Sequence, residues 1–237
     1  MVTMKHYGWA LTCIGGAGVL LTAVLGYTYA PLVPSPPFRS PEAYRILFWH
    51  VPFAWTSFLA FCILFIGAVA WFLKRKEWGW NLFCTGSDLG LLFGLGVVIS
   101  GPIWGSAEWG VPWDWGDLRL NTFAILTAVA LFLVLSRRSQ PDGVDTRDTL
   151  STIGLFGFAL VPITAIATTF YQKRHPSVVI VQSDETGLDP KMLEVLIIGV
   201  ISFWILMIGL SILTFLAYEL ENKLQNLLNS LDDEVVH

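Results

Sequence analysis

Charge is the scarcest property of this chain. Asp, Glu, Lys and Arg supply 14% of its 237 residues, against about 25% in an average soluble domain, and that shortage excludes an ordinary soluble globular fold. It has no basic arm for nucleic acid, no phosphate-cradling glycine loop and no zinc-ligand spacing. Any step driven by ATP hydrolysis therefore belongs to another subunit. Cysteine occurs three times, as Cys13, Cys62 and Cys84, each alone in an apolar segment. The lack of Cys-x-x-Cys excludes a thioredoxin-like dithiol, and the lack of Cys-x-x-Cys-His excludes covalent c-type haem attachment to this chain. The three thiols read as small buried hydrophobes.

What the chain has in abundance is apolar length. Hydrophobic residues make up 54% of it and its mean hydropathy is +0.63. A bilayer core of about 30 Å needs about 20 apolar residues per helix. Six segments meet this, at about 8–30, 46–73, 81–101, 120–136, 150–169 and 193–218. The first is too long for a signal-peptide core and ends Tyr27-Thr28-Tyr29-Ala30 without a cleavage pattern, so it is retained as a span. The expected fold is an all-α integral membrane protein, a single six-span domain over residues 1–237. Its external loops fall at about 31–45, 102–119 and 170–192.

Six spans put both termini on one face. Lys5, Lys74, Arg75, Lys76, Arg137, Arg138, Arg147 and Lys223 share that face, eight of the fourteen basic residues. Lys74-Arg75-Lys76 and Arg137-Arg138 abut span ends, where positive charge favours the cytoplasm. The termini are therefore placed in the cytoplasm and the opposite loops outside. The polar stretch Glu219–Leu231 and the tail Asp232-Asp233-Glu234 read as a solvated end.

The outer loops differ in kind from the inner ones. The first carries Pro31, Pro34, Pro36, Pro37 and Pro41 and is expected to be extended and stiff. The second holds Trp104, Trp109, Trp113 and Trp115, four indoles within twelve residues. Gly101, Pro102, Gly105, Gly110, Pro112 and Gly116 punctuate it, which predicts irregular backbone. An aromatic belt at the membrane interface explains Trp9, Trp49, Trp78, Trp80 and Trp204 well. It explains four rings in one glycine-rich loop poorly; such a cluster suits a platform for a flat aromatic ligand. Glu108 and Glu185 read as solvated loop residues.

Histidine is rare. His6 and His237 lie in the termini, whereas His50 and His175 fall near the outer ends of spans, on the side of the tryptophans. One interfacial histidine is ordinarily a hydrogen-bonded wall residue. Two at one depth beside an aromatic platform suit the axial imidazoles of a porphyrin iron. Pro52 is expected to break the helix and help aim His50. Arg119 has two readings: it pairs with Asp117 or Asp114, or it forks onto a ligand carboxylate such as a haem propionate.

These residues resemble the haem-handling protein family of cytochrome c biogenesis, and within it the haem exporter protein C branch. Trp49-His50-Val51-Pro52-Phe53-Ala54-Trp55 is similar to its first histidine motif and His175-Pro176 to its second. Trp104-Gly105, Trp109-Gly110, Trp113, Trp115, Asp117, Arg119 and Leu120 are similar to its tryptophan-rich motif. The family has tryptophan directly before aspartate, whereas Gly116 intervenes here. The resemblance implies that His50 and His175 ligate haem b, with Trp104, Trp109, Trp113, Trp115, Asp117 and Arg119 around it. It implies a haem-binding and delivery subunit without turnover chemistry in a bacterial cytoplasmic membrane, its site facing the periplasm. The implied partners are a periplasmic haem chaperone, ABC transporter subunits and a small single-span subunit. Two alternatives are a b-type membrane cytochrome, which would want histidines in the inner half of its spans, and a synthetase-type haem-handling protein, which would want more spans.

Overall fold

The computed structural model describes residues 2–33, 35, 38–170 and 188–236. Among these the secondary structure is helical: α1 (Val2–Thr28), a 3-10 turn at Ala43–Ile46 running into α2 (Leu47–Lys74), α3 (Glu77–Glu108), α4 (Leu118–Ser139), α5 (Val144–Phe158), α6 (Leu160–Phe170) and α7 (Pro190–Val236). Six stretches are long and apolar enough to cross a bilayer, with α5 and α6 together supplying the fifth. The expected six-span, all-α architecture is therefore present.

Lipid is as apolar as leucine, so these helices gain little by hiding side chains from it and associate instead through close packing and polar contacts. Small residues make the approach possible. A β-carbon on Gly86 of α3 would lie 2.2 Å from the backbone nitrogen of Leu64 in α2. Around that contact sits a fully buried layer of Phe61, Leu64, Phe83, Leu126, Leu133 and Leu150. α1 runs antiparallel along α7, Gly8 lying over Leu213 and Gly15 over Leu206.

The connections alternate between two ends of the bundle. One end gathers Ala30, Val33, Tyr44, Phe48, Met192 and Val195 into a buried cluster edged by Trp104. The other carries the start of α1, the α2–α3 and α4–α5 turns and the extension of α7, where Asn222 bonds to Asn81 at 2.9 Å. Both chain ends thus belong to the second end, as the loop count requires.

Several expectations need correction. α3 does not stop at Gly101 but runs through Pro102 and Gly105 to Glu108, so the irregular part of the second loop is only 109–117. α2 likewise continues through Pro52. A proline inside a helix removes one i→i−4 bond, and inside a bundle neighbouring helices support the freed carbonyl. Here Gly199 of α7 packs against Pro52 and the carbonyl of Phe48. Among the cysteines only Cys84 is buried; Cys62 is half-buried and Cys13 exposed. Trp80 is no belt residue, since it stacks on Phe83 at 5.0 Å within the core.

Candidate functional site

His50 sits in the first turn of α2, half-buried. Its Nδ1 lies 2.8 Å from Ser100 Oγ in α3. The Ser100 hydroxyl has one proton, which it donates to the Gly96 carbonyl at 2.6 Å. With that proton on the Gly96 carbonyl, Ser100 Oγ is an acceptor for His50 Nδ1–H, the arrangement that leaves the lone pair on Nε2. That is how metal-ligating imidazoles are commonly oriented, by a hydrogen bond on the other nitrogen. The ring lies over Gly101, where a β-carbon would stand in ordinary contact, 3.4 Å from His50 Cε1.

Trp104 lies four residues beyond Ser100 and so shares its face of α3. Its ring meets Tyr44 edge-on at 6.2 Å and Trp109 edge-on at 4.8 Å. Past Trp109 the chain reverses at Gly110, whose φ of 76° lies in the left-handed region open to glycine. The returning strand of backbone brings the Val111 carbonyl over Gly105, to 3.0 Å from where a β-carbon would stand.

Polar side chains fold the rest of the turn. Asp114 Oδ1 accepts from Gly116 N at 2.8 Å, and its carbonyl accepts from Asp117 N at 3.0 Å. The extra residue Gly116 is thus absorbed in an Asx turn. Asp117, 5% exposed, caps α4 by accepting from Leu120 N at 3.0 Å. Asn121 ties three points together. It accepts from Trp113 Nε1 at 3.1 Å and donates to the carbonyls of Trp115 at 2.9 Å and Asp117 at 2.7 Å. Trp113 and Trp115 then stand 5.9 Å apart, with Trp115 84% exposed.

Arg119 lies half-buried in the first turn of α4. Among the described residues it forms no ion pair; Asp117 supplies the opposite charge acting on it. His175, Lys173, Arg174 and Glu185 lie outside the described residues. Trp104 and Trp109 thus meet at the end of α3, beyond the Ser100 that holds His50, and Trp113, Trp115, Asp117 and Arg119 lie around the start of α4.

Three residues that matter here were passed over or misread in the sequence. Asn121 is one. Arg45 is another: it donates to the Gly26 carbonyl and, at 3.2 Å, to that of Ala30, closing the end of α1. Glu108 is the third, and it is no solvated loop residue, since it accepts from the Arg39 and Ser40 amides. Nearby, Tyr29 donates to Glu194 at 2.8 Å, and that bond, ahead of burial, holds the phenol above its ordinary pKa.

The fold and this end of it define a class: a six-span integral membrane protein with an aromatic face at one end of the bundle. The profile of the family CcmC, Heme exporter protein C, matches residues 2–229. The chain belongs to this family, whose members serve haem transport in cytochrome c biogenesis. It is 33% identical over 156 residues to a putative cytochrome c biosynthesis ccmC-like mitochondrial protein of Marchantia polymorpha, covering 65% of this chain and 64% of that one. It is 24% identical over 200 residues to Heme exporter protein C of Bradyrhizobium diazoefficiens, covering 84% and 75%. With the protein of that name in Paracoccus denitrificans it shares 24% over 157 residues, covering 66% and 64%. The chain thus spans slightly under two thirds of the Marchantia and Paracoccus relatives.

Proposed function

We propose that this chain binds haem b at the outer face of a bacterial cytoplasmic membrane and presents it to a periplasmic haem chaperone during cytochrome c maturation. The observation that carries the reading is the His50–Ser100 bond, which suits His50 Nε2 to ligation at the end of the bundle that holds the Trp104–Trp109 pair. Haem iron takes two axial imidazoles, and His175 is the second. Trp104, Trp109, Trp113 and Trp115 supply aromatic walls. Asp117 sets the start of α4, so that Arg119 is available to a propionate through a forked contact. Haem is cargo here, and this chain carries out no turnover chemistry.

The orientation of the reading rests on charge. Lys74-Arg75-Lys76 and Arg137-Arg138 lie at the end of the bundle that holds the termini, which favours that end for the cytoplasm. ABC transporter subunits and a small single-span subunit are the proposed companions.

The test is purification of the wild type, His50→Ala and His175→Ala, each read by Soret absorbance and haem stain. The expected result is low-spin six-coordinate haem in the wild type and loss of haem, or of that spectrum, in each variant. Unchanged haem content and ligation in both variants would end the bis-histidine reading.

A further inference from the structure

Glu108 stands where a carboxylate is least favoured. It is the last residue of α3, whose carbonyl end is partially negative, and no basic residue shares its last turn. Local rules broken without local gain point to a compensating contact elsewhere. The compensation is the first outer loop: Glu108 Oε1 accepts from Arg39 N at 3.0 Å and Oε2 from Ser40 N at 2.8 Å. That loop is poor in donors, because Pro31, Pro34, Pro36, Pro37 and Pro41 have no N–H. Only Phe38, Arg39 and Ser40 offer amides between Pro37 and Pro41, and Glu108 takes two of the three.

The clamp joins two segments 68 residues apart. On the loop side Phe38 packs on Tyr44 at 4.8 Å, and Tyr44 meets Trp104 edge-on. On the other side Glu108 directly precedes Trp109, the partner of Trp104. The Arg39 guanidinium lies against the turn at Gly110, 2.8 Å from where a β-carbon would stand. One carboxylate thus fixes a loop, an indole pair and a rim cation together.

We propose that Glu108 is a positioning residue of the haem face: by clamping the Arg39 and Ser40 amides it holds the Trp104–Trp109 pair and the Arg39 cation in register, and so sets how long haem is retained. The proposal rests on the haem reading above. It is tested on the full-length wild type, Glu108→Gln and Glu108→Ala by two measurements. Hydrogen–deuterium exchange on haem-free protein reads the Arg39 and Ser40 amides, and transfer of bound haem to apomyoglobin reads retention.

In Glu108→Ala both amides are expected to exchange faster. Haem is expected to leave about tenfold faster, the effect of one charge-assisted hydrogen bond, while the low-spin spectrum set by the histidines stays unchanged. Glu108→Gln, which keeps one acceptor oxygen, is expected to fall between. Unchanged amide exchange in Glu108→Ala would overturn the clamp. Faster exchange with unchanged haem transfer, or a variant losing the low-spin spectrum outright, would overturn its positioning role. A wild type that carries no haem would overturn the haem reading itself, and the exchange arm would still decide whether the clamp exists.

Discussion

The two ends of the bundle use polar side chains differently. At the end that holds the termini, charges pair with one another. Arg147 bonds to Glu77 at 2.7 Å and to Asp142, and lies over the rings of Trp71 and Trp80. Arg75 pairs with Asp148, and Arg137 joins Asp88 and Tyr218 inside the bundle. At the tryptophan end the polar groups go mostly to backbone: Arg45 to the end of α1, Glu108 to the first loop, Asp117 and Asn121 to the turn before α4. Charge satisfied by charge ties the helices together at that end. Charge spent on backbone shapes loops and leaves Arg119 without an ion pair among the described residues.

The contrast can be broken most forcefully at Arg137. Replacing it by leucine leaves Asp88 with Tyr218 but no counter-charge, and removing one partner of a buried pair costs about 3–5 kcal/mol. Arg137→Leu is expected to lower thermal stability in detergent steeply while the protein that remains folded keeps its haem spectrum. A changed spectrum would show the two ends to be coupled. A smaller effect is expected at Ser100. Ser100→Ala removes the acceptor for His50 Nδ1–H, and loss of such an outer hydrogen bond weakens a metal site about tenfold. Haem affinity should fall by that order with stability little changed; unchanged affinity would remove the tautomer argument.

The smallest effect is a pH dependence at the end that holds the termini. The hydrogen bond from Arg147, ahead of opposing desolvation, holds Asp142 below its ordinary pKa of 3.8. Because the folded pKa is depressed, the pair stabilises above the unfolded value and fades as pH falls through the folded one. Asp142→Asn is expected to lower the melting temperature at neutral pH by an amount worth less than about 1 kcal/mol, since the carboxylate is largely exposed. The difference should shrink as pH falls below 3.8 and vanish only below the depressed folded pKa. A deficit persisting there would show that the side chain acts through something other than its charge.

The spans were legible because each needs only local apolar length, and hydropathy reports that directly. Helix ends were less legible. Gly101 and Pro102 read as breakers, yet α3 runs through both, the proline costing one backbone bond. That His50 and the tryptophan stretch fall at one end of the bundle was expected from loop alternation alone. The bond of His50 to Ser100 was not, since the two are 50 residues apart and a serine in an apolar helix carries no sign of its partner. Glu108 was misread, and Arg45 and Asn121 were passed over, for a related reason: much of what they hold is backbone, and backbone leaves no mark in the sequence of side chains. The departure at Gly116 was visible, but only coordinates show that Asp114 turns the extra residue into a closed loop.

The central claim is that His50 and His175 meet on one iron. Protein grown with 15N-labelled histidine and loaded with ferric haem allows the coordinated imidazole nitrogens to be counted by pulsed electron paramagnetic resonance. The account predicts two labelled nitrogens on the iron, falling to one in His50→Ala and in His175→Ala. A wild-type count of one or none, or a count of two that survives either substitution, would contradict it.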